Sequence, residues 1–214
     1  MPGANQSTLW SRLLSRFHLP DIFRLPPAPL IDRGFGLIYD TQRDITWLQD
    51  VNYAKTIRRS PDGQLTWPQA MAWVAALSYR GVRGWRLPTA KNRDGSGPAI
   101  GYDCAGSEMG HLFLEVFREH PNIVHFTNFT ARCIYWTSTE ANAEEAYALH
   151  VEILRQGTMW KDPFAERFPS VPLPGPVLAW PVHDGDVAAE LRWRWLLNIL
   201  SFVRSVFVRR PGNS

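Results

Sequence analysis

Three side chains at helical spacing, Glu108, His111 and Glu115, are the first residues of this 214-residue chain whose types could do chemistry. On one helix face a His between two carboxylates could ligate a metal. The interleaved Met109, Leu112, Phe113 and Val116 favour the plainer reading, a solvated polar face opposite a buried apolar one, so no metal centre is expected. The only cysteines, Cys104 and Cys133, lie just before the second helix and just before a strand. A disulfide between them would staple the intervening loop and stabilise the fold by roughly 3 kcal/mol. We expect that bridge, the alternative being two unbridged small residues near the core. Asp184 and Asp186 around Gly185 offer oxygens for Ca²⁺, but no Pro-separated carbonyl ligands accompany them, and a turn is expected. Gly95-Ser96-Gly97 lacks the strand and helix that a nucleophile elbow needs. On the loops, Lys91, Arg93, Arg132, Lys161 and Arg167 could bind sulfate, carboxylate or phosphate groups, or serve as ordinary solubilising charge. Nothing here assembles a catalytic centre, so the chain is expected to be no enzyme and to need no cofactor.

The elements that must position these residues are short. Gly84-Trp85-Arg86-Leu87-Pro88-Thr89, Tyr135-Trp136-Thr137-Ser138-Thr139 and Ala179-Trp180-Pro181-Val182 each set an aromatic residue among β-branched or small ones, in a chain broken often by Pro and Gly. Each reads as a buried strand closing an aromatic core. Phe35–Tyr39 and Ile45–Leu48, separated by residues 40–44, predict a hairpin. Thr66 caps a helix with Pro68 in its first turn and Trp67, Ala70, Met71, Val74 and Leu77 inward. Ser107 caps a second helix that stops before Pro121. Strands are expected at Tyr135–Thr139, Ala146–Ile153 and Val177–Val182. The order predicts an α+β domain with a mostly antiparallel sheet, two helices and long loops.

Composition describes a globular chain, 45% hydrophobic with ten Trp. The net charge of +3 is concentrated at the ends. Arg192, Arg194, Arg204, Arg209 and Arg210 stand against Glu190 at the C-terminus, while the middle is net negative, which argues against nucleic acid. Residues 8–17 predict an amphipathic helix with Leu9, Trp10, Leu13, Leu14 and Phe17 on one face. Pro20, Pro26, Pro27 and Pro29 make an extended linker, which puts a domain boundary near Arg33. After Val187, residues 188–214 predict a basic amphipathic helix carrying Trp193, Trp195, Leu196, Leu200, Phe202, Val203 and Phe207. That blend suits a membrane interface or the groove of a protein partner, and packing within the chain is the alternative. No signal peptide is recognisable and no stretch is long enough to span a bilayer, so peripheral membrane association is expected, the side of the membrane being open.

Gly36-Leu37-Ile38-Tyr39-Asp40, Ile45-Thr46-Trp47-Leu48, Asn52-Tyr53-Ala54, Thr66-Trp67, Gly84 to Thr89, Gly106 to Phe113, Tyr135 to Thr139, Ala179-Trp180 and Asp184-Gly185-Asp186 together resemble the Legionella collagen-like protein C-terminal domain family. That family was long catalogued as a domain of unknown function. The resemblance runs over roughly 34–187. It implies a bacterial protein with a compact C-type-lectin-like fold, more distantly similar to the formylglycine-generating-enzyme fold. It also implies a relation to exported adhesins that recognise sulfated glycosaminoglycans. An oxidase of the formylglycine-generating type would need a reactive cysteine pair close in sequence near the domain's end, which this chain lacks. The expectation is a non-enzymatic binding module held by its terminal helices as an accessory subunit, with a carbohydrate-binding adhesin as the alternative.

Overall fold

The computed structural model describes residues 29–120, 126–130, 132–165, 175–189, 191 and 193. The expected helix at 8–17, Arg167, and Trp195, Leu196, Leu200, Phe202, Val203 and Phe207 lie outside the described residues.

The chain is α+β, and among the described residues its strands form two four-stranded sheets where one was expected. In the first, β1 (Leu30–Gly34), β2 (Leu37–Asp40), β3 (Ile45–Leu48) and β8 (Val182–Asp184) pair antiparallel in that order. In the second the order is β6 (Arg155–Trp160), β5 (Glu145–His150), β4 (Ile134–Glu140) and β7 (Val177–Leu178), with only β4 and β7 parallel. The segment expected as one strand over Val177–Val182 is split between the two sheets, and Trp180 sits at the crossing with no exposed surface.

The helices follow their local signals. A short α1 (Tyr53–Thr56) follows β3. Next, α2 (Trp67–Ala76) starts at a capping box: the Thr66 hydroxyl accepts from the Gln69 amide and the Gln69 side chain accepts from the Thr66 amide. It buries Ala70, Trp73 and Val74. Ser107 caps α3 (Glu108–His111), which runs straight into a π-helical segment, Leu112–Val116, and then α4 (Phe117–Glu119). Gly110 is obligatory there, because a Cβ would lie 1.9 Å from the Cys104 carbonyl oxygen.

The inner strands β2, β3 and β4 bury residues on both faces, successive side chains pointing to opposite sides. Ile38, Ile45 and Trp47 pack with Met109, Leu112, Phe113, Tyr135, Leu149 and Trp180 in one cluster. Leu37 and Leu48, from the opposite face, join Trp73, Val74, Trp85, Leu87, Trp136 and Ala148 in the other. The described tryptophans are therefore chiefly core. Three of their buried indole N–H groups find carbonyls inside it, Trp136 on Leu65 at 2.8 Å, Trp180 on Leu48 at 2.7 Å and Trp85 on Val82 at 3.1 Å, while that of Trp47 has no hydrogen-bond partner among the described residues.

Several expectations shift. The core takes in Leu30, just before the boundary expected near Arg33, and Val187, Ala188 and Leu191 at the other side. Trp193, by contrast, is 68% exposed. The Ala146–Ile153 strand ends at His150, turns through Val151–Leu154 and returns as β6, a strand that shows no clean alternation. Gly84–Thr89 forms no strand of its own. Its backbone meets the first sheet at an isolated Arg86–Val182 bridge, and its Pro88 carbonyl accepts from the Ser138 amide of the second sheet.

The Cys104–Cys133 disulfide does not form; both thiols are free and buried. Gly101 pairs with Gln156 on β6, and Gln156 faces Leu149 and then Tyr135 across the sheet. Three strand spacings, roughly 14 Å, thus separate Gly101 from Tyr135, ladder positions close in the chain to the two cysteines. Each thiol is satisfied locally, Cys104 on the Gly101 carbonyl at 3.4 Å and Cys133 on the Thr130 carbonyl at 2.8 Å. Burial pushes the Cys133 thiol up to about 11 and raises that of Cys104 as well. Titration after unfolding without reductant should therefore find two thiols. In the native protein Cys133 should alkylate at least ~100-fold more slowly than when unfolded; recovery of a bridged peptide by mass spectrometry would overturn this.

Candidate ligand-binding cleft

The elements around Glu108 and His111 settle what these residues do. The expected solvated face is instead buried: Glu108 is 8% and His111 4% exposed. Arg86 grips the Glu108 carboxylate with two nitrogens, at 2.8 and 2.7 Å, and reaches Asp184 at 2.5 Å. The Thr89 amide also donates to Glu108, at 2.8 Å. Burial works to lower the Arg86 pKa, but the hydrogen bonds and charges of Glu108 and Asp184 outweigh it and hold the guanidinium protonated. These bonds tie the Gly84–Thr89 segment, the start of α3 and the end of β8 into one unit, so the Asp184-Gly185-Asp186 turn is structural. Asp186 likewise pairs with Arg33, at 2.6 Å.

His111 belongs to a second charged group. Its Nδ1 lies 2.5 Å from Glu115 Oε2, and its Nε2 faces the fully buried Asp40 carboxylate at 3.8 Å. The Asp40 Oδ1 accepts from the Gln42 and Arg43 amides at 3.0 and 2.9 Å, which shapes the turn between β2 and β3. Burial raises the Asp40 pKa, while those amides and the charges of His111 and Arg43 pull it down. Glu108 is turned to Arg86, so the three residues first noted as a metal set do not converge. Among the described residues no group of three His, Cys, Asp or Glu side chains could hold a metal.

Above this buried pair opens a cleft of about 770 Å³, walled by Thr41, Gln42 and Arg43 from the hairpin turn, Asn92, Arg93 and Asp94 from the long loop, and Gly106, His111 and Glu115. The loop wall is closed on itself: the Asn92 amide donates to the Ser96 carbonyl, and Asp94 accepts from both the Ser96 amide and hydroxyl, at 2.9 and 2.6 Å. Arg43 crosses to the Ala105 carbonyl at 2.9 Å and fixes the hairpin wall against residues 105–106. Burial and, more weakly, the nearby Arg93 lower the Arg43 pKa, opposed by Asp40, Glu115 and Glu108. Solvent reaches neither His111 Nε2 nor Asp40 Oδ2. A molecule in the cleft therefore meets amides, a hydroxyl, two guanidiniums and two carboxylates, but not the reactive edge of the imidazole. The arrangement can hold a polar ligand by hydrogen bonds and oriented charge.

The basic residues singled out in the sequence do not share one surface. Arg93 lines the cleft and Lys91 is exposed at the foot of the same loop. Arg132 pairs with Glu152 at 3.1 Å near the start of β4. Lys161 pairs with Glu140 at the far end of that strand, donates to the Ala143 carbonyl and lies 4.9 Å over the Trp67 ring. Eight residues of extended chain, about 25 Å, separate those two positions. Thr41, Gln42, Arg43 and Asn92 were not anticipated as wall residues, since only the fold brings a hairpin turn beside a loop fifty residues later. No family model, no curated protein and no solved structure matches the chain. Among the described residues no helix is long and apolar enough to cross a membrane.

Proposed function

We propose that this chain is a non-enzymatic binding module of C-type-lectin-like fold, a member of the Legionella collagen-like protein C-terminal domain family. In this reading residues 8–17 and 188–214 hold it to a membrane surface or a larger assembly as an accessory subunit, and the cleft receives its ligand. The observation that carries the reading is the cleft itself: a polar concavity rimmed by loops on a stiff two-sheet body, with the buried His111 beneath it engaged by carboxylates. The two guanidiniums of Arg43 and Arg93 favour, as a second reading, an adhesin for sulfated or carboxylated saccharides.

Titration of the full chain with sulfated and with neutral oligosaccharides tests both. Arg93→Gln changes an exposed side chain and should leave thermal stability unaltered, while weakening binding of the acidic saccharide roughly 10-fold or more by loss of a charge-assisted contact. Saccharide binding that is indifferent to Arg93 would remove the cleft from the reading. The accessory role is checked by co-purification with the full chain and with a chain ending at Trp193. Ending it at Val187 would strip Ala188 and Leu191 from the core.

A further inference from the structure

The end of the first sheet opposite the cleft gathers three loop tips. The Gly34–Gly36 turn between β1 and β2 is tied to the Tyr79–Val82 turn, where the Tyr79 hydroxyl and the Arg80 Nε donate to the Phe35 carbonyl at 2.7 and 3.0 Å. Gly36 permits this approach, since a Cβ there would lie 2.4 Å from the Tyr79 hydroxyl. The Tyr79 ring meets Tyr53 of α1 edge-on at 5.3 Å, and Ile57, one helical turn after Tyr53, closes the third tip.

What these tips present is unusual for a solvated surface. Phe35 and Ile57 are each 43% exposed. Around them stand Lys55, Arg58, Arg59, Arg80 and Arg83, all exposed. Among the described residues none of these five cations is in an ion pair. The acids on the same loops turn to local donors instead: Asp32 to the Gly34 amide, Asp50 to the Thr56 hydroxyl, and Asp62 to Ser60 and Gln64. Phe35, Arg58 and Arg80 all hold positive φ, 59°, 58° and 52°, so each tip carries strained backbone that the packing beneath it holds.

Apolar side chains beside exposed cations that no described acid pairs suit the interface of an anionic bilayer: Arg80 stays on the Phe35 carbonyl and over its ring, while the apolar groups enter the headgroup layer and the other cations take lipid phosphates. We propose that this cap is a docking face for anionic lipid, built into the folded body and independent of both the cleft and the terminal segments. The four-residue strands β2 and β3 put the cap about 13 Å from the turn that lines the cleft. A docked molecule thus holds its cleft away from the membrane, open to ligand.

Sedimentation of the full chain with vesicles of phosphatidylcholine alone, or mixed with phosphatidylglycerol, tests the proposal. The full chain should bind the anionic vesicles far more than the neutral ones, and salt should weaken that binding. Arg58→Gln with Arg59→Gln should lower the anionic partition roughly 30-fold, each charge contributing about fivefold. Phe35→Ser with Ile57→Ser should lower partition to both vesicle types, and both double variants should keep the parent melting temperature. Variants that bind as the parent does would overturn the proposal and assign attachment to other residues. A parent chain that ignores anionic vesicles would overturn it too, and leave the cap to an acidic protein.

Discussion

Replacing Arg86 with methionine lowers the stability of the folded chain by about 3–5 kcal/mol, because the buried Glu108 carboxylate loses its counter-charge and keeps only the Thr89 amide as donor. For a chain of this size the melting temperature falls about 10–15 °C. Asp184 contributes little to that loss, since its side chain is largely exposed and water replaces the guanidinium. Adding Glu108→Gln to the Arg86→Met variant restores part of the stability by removing the uncompensated charge. Urea unfolding of the two single variants and the double variant measures the coupling directly. A single-variant loss under about 1 kcal/mol, or a double variant no better than Arg86→Met, would mean that the network does not hold the three segments together.

Trp180→Ala costs about 4–5 kcal/mol, at the top of the range for buried tryptophans. The indole has no exposed surface and stands between the sheets, with ring centroids of Trp47 at 4.7 Å, Phe126 at 4.9 Å, Tyr135 at 5.4 Å and Phe113 at 6.4 Å. Truncation leaves a cavity lined by rings that cannot collapse into it, and it orphans the Leu48 carbonyl that the indole N–H now satisfies. Trp180→Phe keeps most of the volume and loses chiefly that hydrogen bond, so it should cost about 1–3 kcal/mol. Calorimetry separates the two variants. Equal losses would point to the hydrogen bond rather than the volume.

Much of the fold was legible because its signals are local. The Thr66 and Ser107 caps, the apolar spacing of Ala70 and Val74, and the β2–β3 hairpin depend on residues within one or two turns of each other. What escaped depends on distant partners. β6 became a strand because β5 offers it a ladder, with no alternation of its own to announce it. Gly84–Thr89 has the composition of a strand, yet it is recruited by side chains: Arg86 to Glu108 and Asp184, and Thr89 to Thr139. The candidate site was half legible. Arg93 was noted on a loop, but its opposite wall, Thr41 to Arg43, looked like an ordinary turn.

The same division explains the buried charges and the cysteines. Helical spacing alone placed Glu108, His111 and Glu115 on one face, and it also predicted that the face would be wet. Whether a polar face meets water or a partner is decided by what the rest of the chain brings to it, here Arg86 and Asp40. Two cysteines in a loop-rich chain invited a bridge, but the fold buries each thiol unbridged against a carbonyl of its own segment. Periodicity, caps and turn residues act through neighbours in sequence, so the sequence alone determined the class of fold, the two helices and most strand positions. The pairing into two sheets, the crossing at Trp180, the buried ion clusters and the walls of the cleft were decided only by the tertiary structure. They rest on contacts between segments far apart in the chain, whose free energy exists only once the loops between them have closed.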